Sequence, residues 1–474
     1  MKIIQAIFWL FLLGYSSTDA QQIPLTMSLA RNVSQPVTFE VDGENKTILL
    51  FYAFRFNKGQ FYATEVDNSL TTLRTSNIQE VITASTDETI KVIGGFHPKG
   101  SDRYLLFIRL GKFQIWEVAL DRQSFALTST RRMYKPKNAN TIGGIAEGDH
   151  FYLLFSRKEK KKKEGEIIVL ETGDGMQFNE HIIAASTRLD IFDKRYSPIF
   201  PTKDIEQDPE IIAHERDKVF AADGKIYFVS DVSEDIYGSP TGRTRVSSID
   251  LKTFTLDFDL FTCFEYQETE RNWVCSYLYD SKLFQMGLKK DYFSLEIFDL
   301  ADKKKVFSTI LLEKDSLNQL LNSDVIVPGR GSLGIERTYQ TPDKFSQKLL
   351  QLTPFIQVRK SGEDYLIGMG GHLEVNNPPS NNTFSPAGGI GMTSGYSYER
   401  TTFFYAVLNA MDYSHSKRFI AHGIQNQIKT ITENEFNWIT ESLSPGVFLL
   451  FNQFYMGKYS RKKDAYIFTK LRPE

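Results

Sequence analysis

Residue types able to do chemistry are spread thinly along this chain. The seven histidines are His97, His150, His181, His214, His372, His415 and His422. None forms an H-x-x-x-H or similar ligand pair, and no cysteine group completes a metal site. The sequence therefore implies neither a metal nor another cofactor. The run from Gly329 to Gly334 matches G-x-G-x-x-G. However, Pro328 precedes it, and ERTYQTPDK follows where a helix must begin if backbone amides are to hold pyrophosphate. It reads as a glycine-rich loop. Ser394, between Gly391 and Gly395, has the wrong spacing for a nucleophile elbow. No run has the D-x-[DN]-x-[DN]-G order of a calcium loop. Carboxylate pairs for glycoside chemistry meet only in space, so spacing does not decide them.

The strongest candidate for recognition is the stretch Gly371–Arg400, GHLEVNNPPSNNTFSPAGGIGMTSGYSYER. It reads as a long insertion rich in Pro, Asn and Gly, with His372, Tyr396, Tyr398 and Arg400 near its ends. Tyrosine and arginine are frequent anchors of binding surfaces, and these four are the expected contact residues. Arg157–Glu164, RKEKKKKE, joins two apolar runs and reads as a solvated hairpin tip. Cys263 and Cys275 flank a turn, and a disulfide between them is expected in an oxidising compartment. The Gly pairs Gly94-Gly95, Gly143-Gly144 and Gly370-Gly371 mark close backbone packing.

A repeat must position these residues. A turn followed by a four-residue apolar-aromatic run recurs seven times: Ile48–Phe51, Tyr104–Phe107, Tyr152–Phe155, Tyr227–Ser230, Leu283–Met286, Tyr365–Gly368 and Phe448–Phe451. A more alternating strand follows each run, generally ending in a turn rich in Asp, Asn or Lys. Further strands flank both, such as IKVIGGF, NTIGGIA and SFALTSTRR. A four-stranded antiparallel sheet cannot bury both of its faces alone, so such units stack radially and share a core. In repeat pattern the chain resembles the β-propeller superfamily, without the signature of any named family. The resemblance implies an all-β, seven-bladed β-propeller forming a single domain over 21–474. Six or eight blades, or two packed β-sandwiches, would give similar text. The seventh unit lacks a last strand, and Ile23–Arg31, IPLTMSLAR, is the segment expected to supply it. Helix is scarce. A short one is expected around Asp315 to Asn322 with Asp315 as N-cap, and Ile431–Leu443 reads as helix or strand.

In such a meander alternate connections share one face. One set is tight. The other holds Arg188–Glu215, Asp231–Arg243, Lys314–Thr353 and Gly371–Glu399, and long loops on a rigid scaffold are where binding concentrates.

The start, MKIIQAIFWLFLLGYSSTDAQQ, has the order of a secretory signal cut after Ala20, with an apolar run too short to span a bilayer. The mature chain is then expected to be secreted or periplasmic, with no membrane span. Sequons begin at Asn32, Asn45 and Asn381. Lys and Arg total 56 against 58 Asp and Glu, a balance that excludes a nucleic-acid binder driven by net charge. Two functions remain. The first is a non-catalytic module binding a protein or glycan through the long-loop face. The alternative is a polysaccharide hydrolase or lyase with its site at the central channel.

Overall fold

A computed structural model describes residues 20–24, 32–33, 37–41, 46–55, 58–77, 90–98, 100–110, 114–133, 136–158, 164–172, 178–186, 189–192, 198, 200, 216–232, 242–263, 273–312, 315–323, 325, 342–377, 383–384, 390–391, 396–418, 446–450, 453–460 and 465–470. Strands dominate them and fall, in chain order, into seven antiparallel sheets of three to five strands. Sheet 1 is built on Lys46–Arg55 and Lys58–Asp67, with Val37–Val41 and Asn32–Val33 on one side and Thr72–Asn77 on the other. Sheet 2 spans Ile90–Phe96 to Leu127–Arg132, sheet 3 Asn140–Glu147 to Phe178–Ser186, sheet 4 Asp217–Ala222 to Thr255–Thr262, and sheet 5 Trp273–Tyr279 to Lys304–Leu312. Sheet 6 contains Thr353–Ser361, Asp364–Asn377 and Tyr396–Asn409. Sheet 7 contains Gly446–Leu450, Gln453–Ser460 and Ala465–Lys470, and its fourth strand is Ala20–Pro24 from the other end of the chain.

Burial on both faces explains the apolar runs. Alternate residues of a strand point to opposite faces, so a strand covered on both sides reads as a continuous apolar run. In sheet 2, Tyr104 and Leu106 pack on Ile48 and Leu50 of sheet 1, while Leu105 and Phe107 pack on Phe151 and Leu153 of sheet 3. The same arrangement joins sheet 3 to 4 through Leu154 and Phe228, 4 to 5 through Val229 and Leu283, and 5 to 6 through Phe284 and Ile367. Leu49 and Phe51 of sheet 1 meet Tyr455 and Phe468 of sheet 7. Four-stranded antiparallel meanders stacked face to face in chain order are the build of a β-propeller.

Six of the seven expected marker runs lie in the second strand of their sheet. The last does not, because Phe448–Leu450 sits in the first strand of sheet 7. An apolar run marks a strand that packs on neighbours, not its place within the sheet. Gly446 accordingly opens a first strand. Of the segment Ile23–Arg31, Ile23 and Pro24 pair with Tyr466 and Ala465, and the remainder lies outside the described residues. So do Gly329–Gly334, Ile431–Leu443, Asn45 and Asn381.

The third strands share an ending that fixes the next turn. Asp67 Oδ1 accepts the N–H groups of Ser69 and Thr71, each at 2.9 Å. Asp121 serves Gln123 and Ser124, Asp250 serves Lys252 and Thr253, and Asp299 serves Ala301 and Asp302. In sheet 6, Asn409 takes the same part. Each turn then places a non-glycine residue in the left-handed region: Leu70, Phe125, Phe254, Lys303 and Tyr413, at φ between 51° and 59°. That conformation costs about 1–2 kcal/mol per residue. Leu70 and Phe125 offset it by burying their side chains in the cores beside them. The hydroxyl of Ser69 chiefly holds the Asp67 carboxyl below its usual range, and the backbone amides of Ser124 and Thr253 do so for Asp121 and Asp250. A carboxyl lowered in the folded state contributes stability above its unfolded value of about 3.9, which is lost as pH falls through the lower folded value. Melting temperature measured from pH 5 to pH 2 is therefore expected to drop across the acidic end. Replacing Asp67, Asp121 and Asp250 together by asparagine should flatten that drop.

The glycine pairs are packing positions. A Cβ on Gly144 would stand 2.5 Å from the Phe151 ring, and one on Gly143 would stand 2.2 Å from Phe200. One on Gly370 would come within 2.2 Å of the Thr402 carbonyl oxygen, a backbone atom that cannot give way.

Candidate functional site

The second and third strands of sheet 6 have 14 residues each, against eight in the corresponding strands of sheets 4 and 5. The first strand stops covering them where Thr353 pairs with His372. Beyond that point the pairing continues as a two-stranded ribbon, from Leu373 opposite Arg400 to Asn377 opposite Tyr396. Five residue pairs at about 3.4 Å each carry it roughly 17 Å past the sheet. It lies between the second and third strands of its sheet, the place that the segment joining Lys225–Val232 to Arg243–Asp250 takes in sheet 4. A hairpin of Thr383–Phe384 with Ile390–Gly391 lies within the connection. Much of Gly371–Arg400 is thus extension of the sheet, not loop.

The four candidate residues fall on this element. Tyr396, Tyr398 and Arg400 occupy alternate positions of its returning strand, and His372 sits at its root opposite Thr401. His372 is only 5% exposed, so it belongs to the base and not to the surface. The base is tightly set. The helix α1, Pro342–Leu349, inserts Phe345 and Leu349 into the core between sheets 5 and 6. Gly371 lies against Leu349 and Leu352, where a Cβ would stand 2.8 Å from Leu352.

The other insertions are anchored at their roots. After sheet 3, Ile191 and Phe192 enter the core between sheets 3 and 4, and Phe200 covers Gly143. After sheet 5 a single 3-10 turn forms at Leu317–Gln319. Its cap is Ser316, whose hydroxyl accepts from Asn318 N, and not the expected Asp315. Asp315 instead accepts the N–H of Leu312 at 2.6 Å, holding the end of the preceding strand. Asn322 then caps sheet 6: its N–H donates to Tyr405 O and its Oδ1 accepts from Val407 N at 2.6 Å.

Two polar clusters join neighbouring sheets. At the long-loop end of sheet 4, Lys218 Nζ donates to Asp231 Oδ2 at 3.2 Å, and both are buried. Asp231 also accepts from Thr244 Oγ1 at 2.9 Å and from the Ser276 amide and hydroxyl of sheet 5 at 3.0 and 2.6 Å. Every donor that reaches Asp231 is satisfied there, which makes the cluster a tie between sheets. At the short-turn end of sheet 3, Glu171 stands 3.1 Å from His181 Nε2 and 3.5 Å from His150 Nδ1. The Tyr152 hydroxyl donates to it at 3.5 Å, and burial followed by this carboxylate pushes the phenol well up. His181 stacks on Phe254 of sheet 4. This is the titratable group of histidines that spacing could not reveal, because its members come from three strands. Among the described residues, no three His, Cys, Asp or Glu side chains are placed to hold a metal ion.

The expected disulfide is absent: Cys263 and Cys275 are both free and buried. Cys275 faces the core between sheets 5 and 6, while Cys263 Sγ lies 3.2 Å from Ser294 Oγ. Burial, followed by the charge of Glu296, pushes the Cys263 thiol up to about 12, and burial pushes Cys275 up as well. Both thiols stay protonated and unreactive.

No family model matches this chain, and no curated protein does. Among solved structures it is similar to the Dos1 propeller, at 10% identity and a TM-score of 0.30 over 75% of each chain. It is similar to an oligogalacturonate lyase in complex with manganese, at 10% identity and 0.40, over 96% of this chain and 99% of that one. The Pan2 WD40 domain of Neurospora crassa is a third, at 6% identity and 0.27, over 77% and 75%. The propeller build rests on the sheets described above. Among the described residues no helix is long and apolar enough to cross a membrane.

Proposed function

We propose that the chain is a secreted or periplasmic seven-bladed β-propeller, one domain over 21–474 freed of its leader after Ala20. Its ring closes through Gln21–Pro24 in the last sheet, and it binds a protein or glycan through its long-loop face. The observation that carries the binding reading is the ribbon of sheet 6. Two strands continue for five residue pairs past the cover of their sheet, although a lone two-stranded ribbon has no core of its own to stabilise it. Tyr396, Tyr398 and Arg400 on its returning strand supply the residue types that anchor recognition surfaces, with buried His372 as a positioning residue at its root. The closing strand supports the ring, since each of sheets 1 to 5 packs on the next and sheet 7 packs on sheet 1.

Replacing 373–400 by a short Gly-Ser turn is expected to abolish binding to the cognate surface while shifting the melting temperature by less than about 2 °C. Binding is read by screening the secreted chain against an array of cell-surface glycans and extracellular proteins and comparing hits between the two forms. Retention of every hit, or collapse of the melting transition, contradicts the role given to the ribbon.

A further inference from the structure

Arg109 stands next to last in the second strand of sheet 2, Arg103–Leu110. Tyr104, Leu106 and Ile108 of that strand face sheet 1, while Leu105 and Phe107 face sheet 3. Alternation therefore turns Arg109 towards sheet 3. It lies opposite Ile115, which packs with Phe155 in the core between these two sheets. Thr141, on the first strand of sheet 3, lies opposite Phe155 and shares its face. Arg109 and Thr141 thus border the same core from its two sides. Arg109 Nε and Thr141 Oγ1 are both buried atoms without a hydrogen-bond partner. Lys91, a second cation, holds the register position opposite Arg109 on the first strand, and like charges at such positions are destabilising.

The equivalent place in sheet 4 shows what is missing here. Asp231 is likewise next to last in its second strand, Lys225–Val232, and meets Ser276 of the following sheet. There the charges and donors match, because Lys218 and Thr244 reach the same carboxylate. In sheet 2 the charge has the other sign, and two donors lack the acceptor. A cationic donor buried without an acceptor destabilises the fold. A carboxylate is acceptor-only, has room for both a guanidinium and a hydroxyl, and is planar like the arginine fork. We infer that the Arg109–Thr141 end of the cleft between sheets 2 and 3 binds a carboxylate group of the ligand. The inference rests on the binding face proposed above, since Arg109 precedes the connection between second and third strands, the connection that forms the ribbon in sheet 6.

The test titrates the full chain with glucuronate and with N-acetylaspartate, carboxylates of a glycan and of a protein, and with methyl glucoside as the neutral control, all at one ionic strength. Melting temperature should rise with a carboxylate and not with methyl glucoside, and the stronger of the two carboxylates names the source. Arg109→Gln should bind that carboxylate about tenfold more weakly or worse, and Thr141→Val about fivefold more weakly. Without any carboxylate, Arg109→Met should melt no lower than the wild type, because it removes a cation that the fold leaves without an acceptor. A lower melting temperature for Arg109→Met, no response to either carboxylate, or a response that Arg109→Gln retains overturns the site. The chain with 373–400 replaced keeps Arg109 and should still bind the carboxylate. If the carboxylate site fails while that chain loses its array hits, the binding face stands without this site. If the site holds while the hits are retained, the ribbon's role falls alone.

Discussion

Asp231→Ala is expected to destabilise the protein by about 3–5 kcal/mol, because it leaves a buried cation without a partner. Lys218 has no exposed surface, and its ammonium rests on this carboxylate. The substitution also strands the Thr244 hydroxyl and both the amide and hydroxyl of Ser276. Lys218→Met removes the cation and leaves the carboxylate with those three donors, so its cost should be smaller, about 1–3 kcal/mol. Urea unfolding of the two variants gives the comparison. Equal losses, or a loss below about 1 kcal/mol for Asp231→Ala, would show that the cluster does not join the sheets. Hydrogen exchange localises the effect: Ser276 lies in the first strand of sheet 5, so protection should fall across 273–279 as well as in sheet 4.

Phe468→Ala is expected to cost about 3–5 kcal/mol through the cavity it opens between sheets 7 and 1. Its ring meets Tyr455 and Tyr466 with centroids 6.5 and 5.0 Å away, and Leu49 and Phe51 of sheet 1 belong to the same cluster. Deleting 21–24 should act differently. It leaves those side chains in place but bares the outer edge of Ala465–Lys470, whose unpaired backbone groups are a template for pairing with another chain. The deleted form should therefore elute largely as oligomers in size-exclusion chromatography, whereas Phe468→Ala should elute as monomer with a lower unfolding midpoint.

The repeat was legible because burial on both faces writes itself into the sequence. Tyr104–Phe107 and Tyr152–Phe155 are apolar at four successive positions, since odd and even residues serve different neighbours. The same physics blurred the seventh unit, because an apolar run such as Phe448–Phe451 does not tell which strand of a sheet it belongs to. The side of the sheets from which long segments leave was legible from loop length alone. Sequence reading missed the ribbon, because PPSNNTFSPAGG carries strong loop signals and masked the strand-forming LEV and YSY on either side. It also missed α1, which is short and owes its place to Phe345 and Leu349 in the core. The turn motif could have been found: DRQSF and DLKTF share an Asp, a Ser or Thr three residues on and an apolar residue after it, and DNSL has the same order one residue shorter. The cluster of Glu171 with His150 and His181 could not, since residues from three strands meet only through pairing. The disulfide expectation failed for a similar reason. Closeness in sequence says nothing about which core each thiol enters.

The ring claim turns on the two chain ends meeting in one sheet. Gln22→Cys combined with Ile467→Cys places two cysteines at directly paired positions, within the reach of a disulfide, and the two native thiols are buried and protonated. Under mild oxidation the folded double variant should form an intramolecular bond, seen as a single peptide joining 22 to 467 after digestion. A variant that folds yet yields no such peptide, or only bonds between separate chains, would contradict closure by the N-terminal strand.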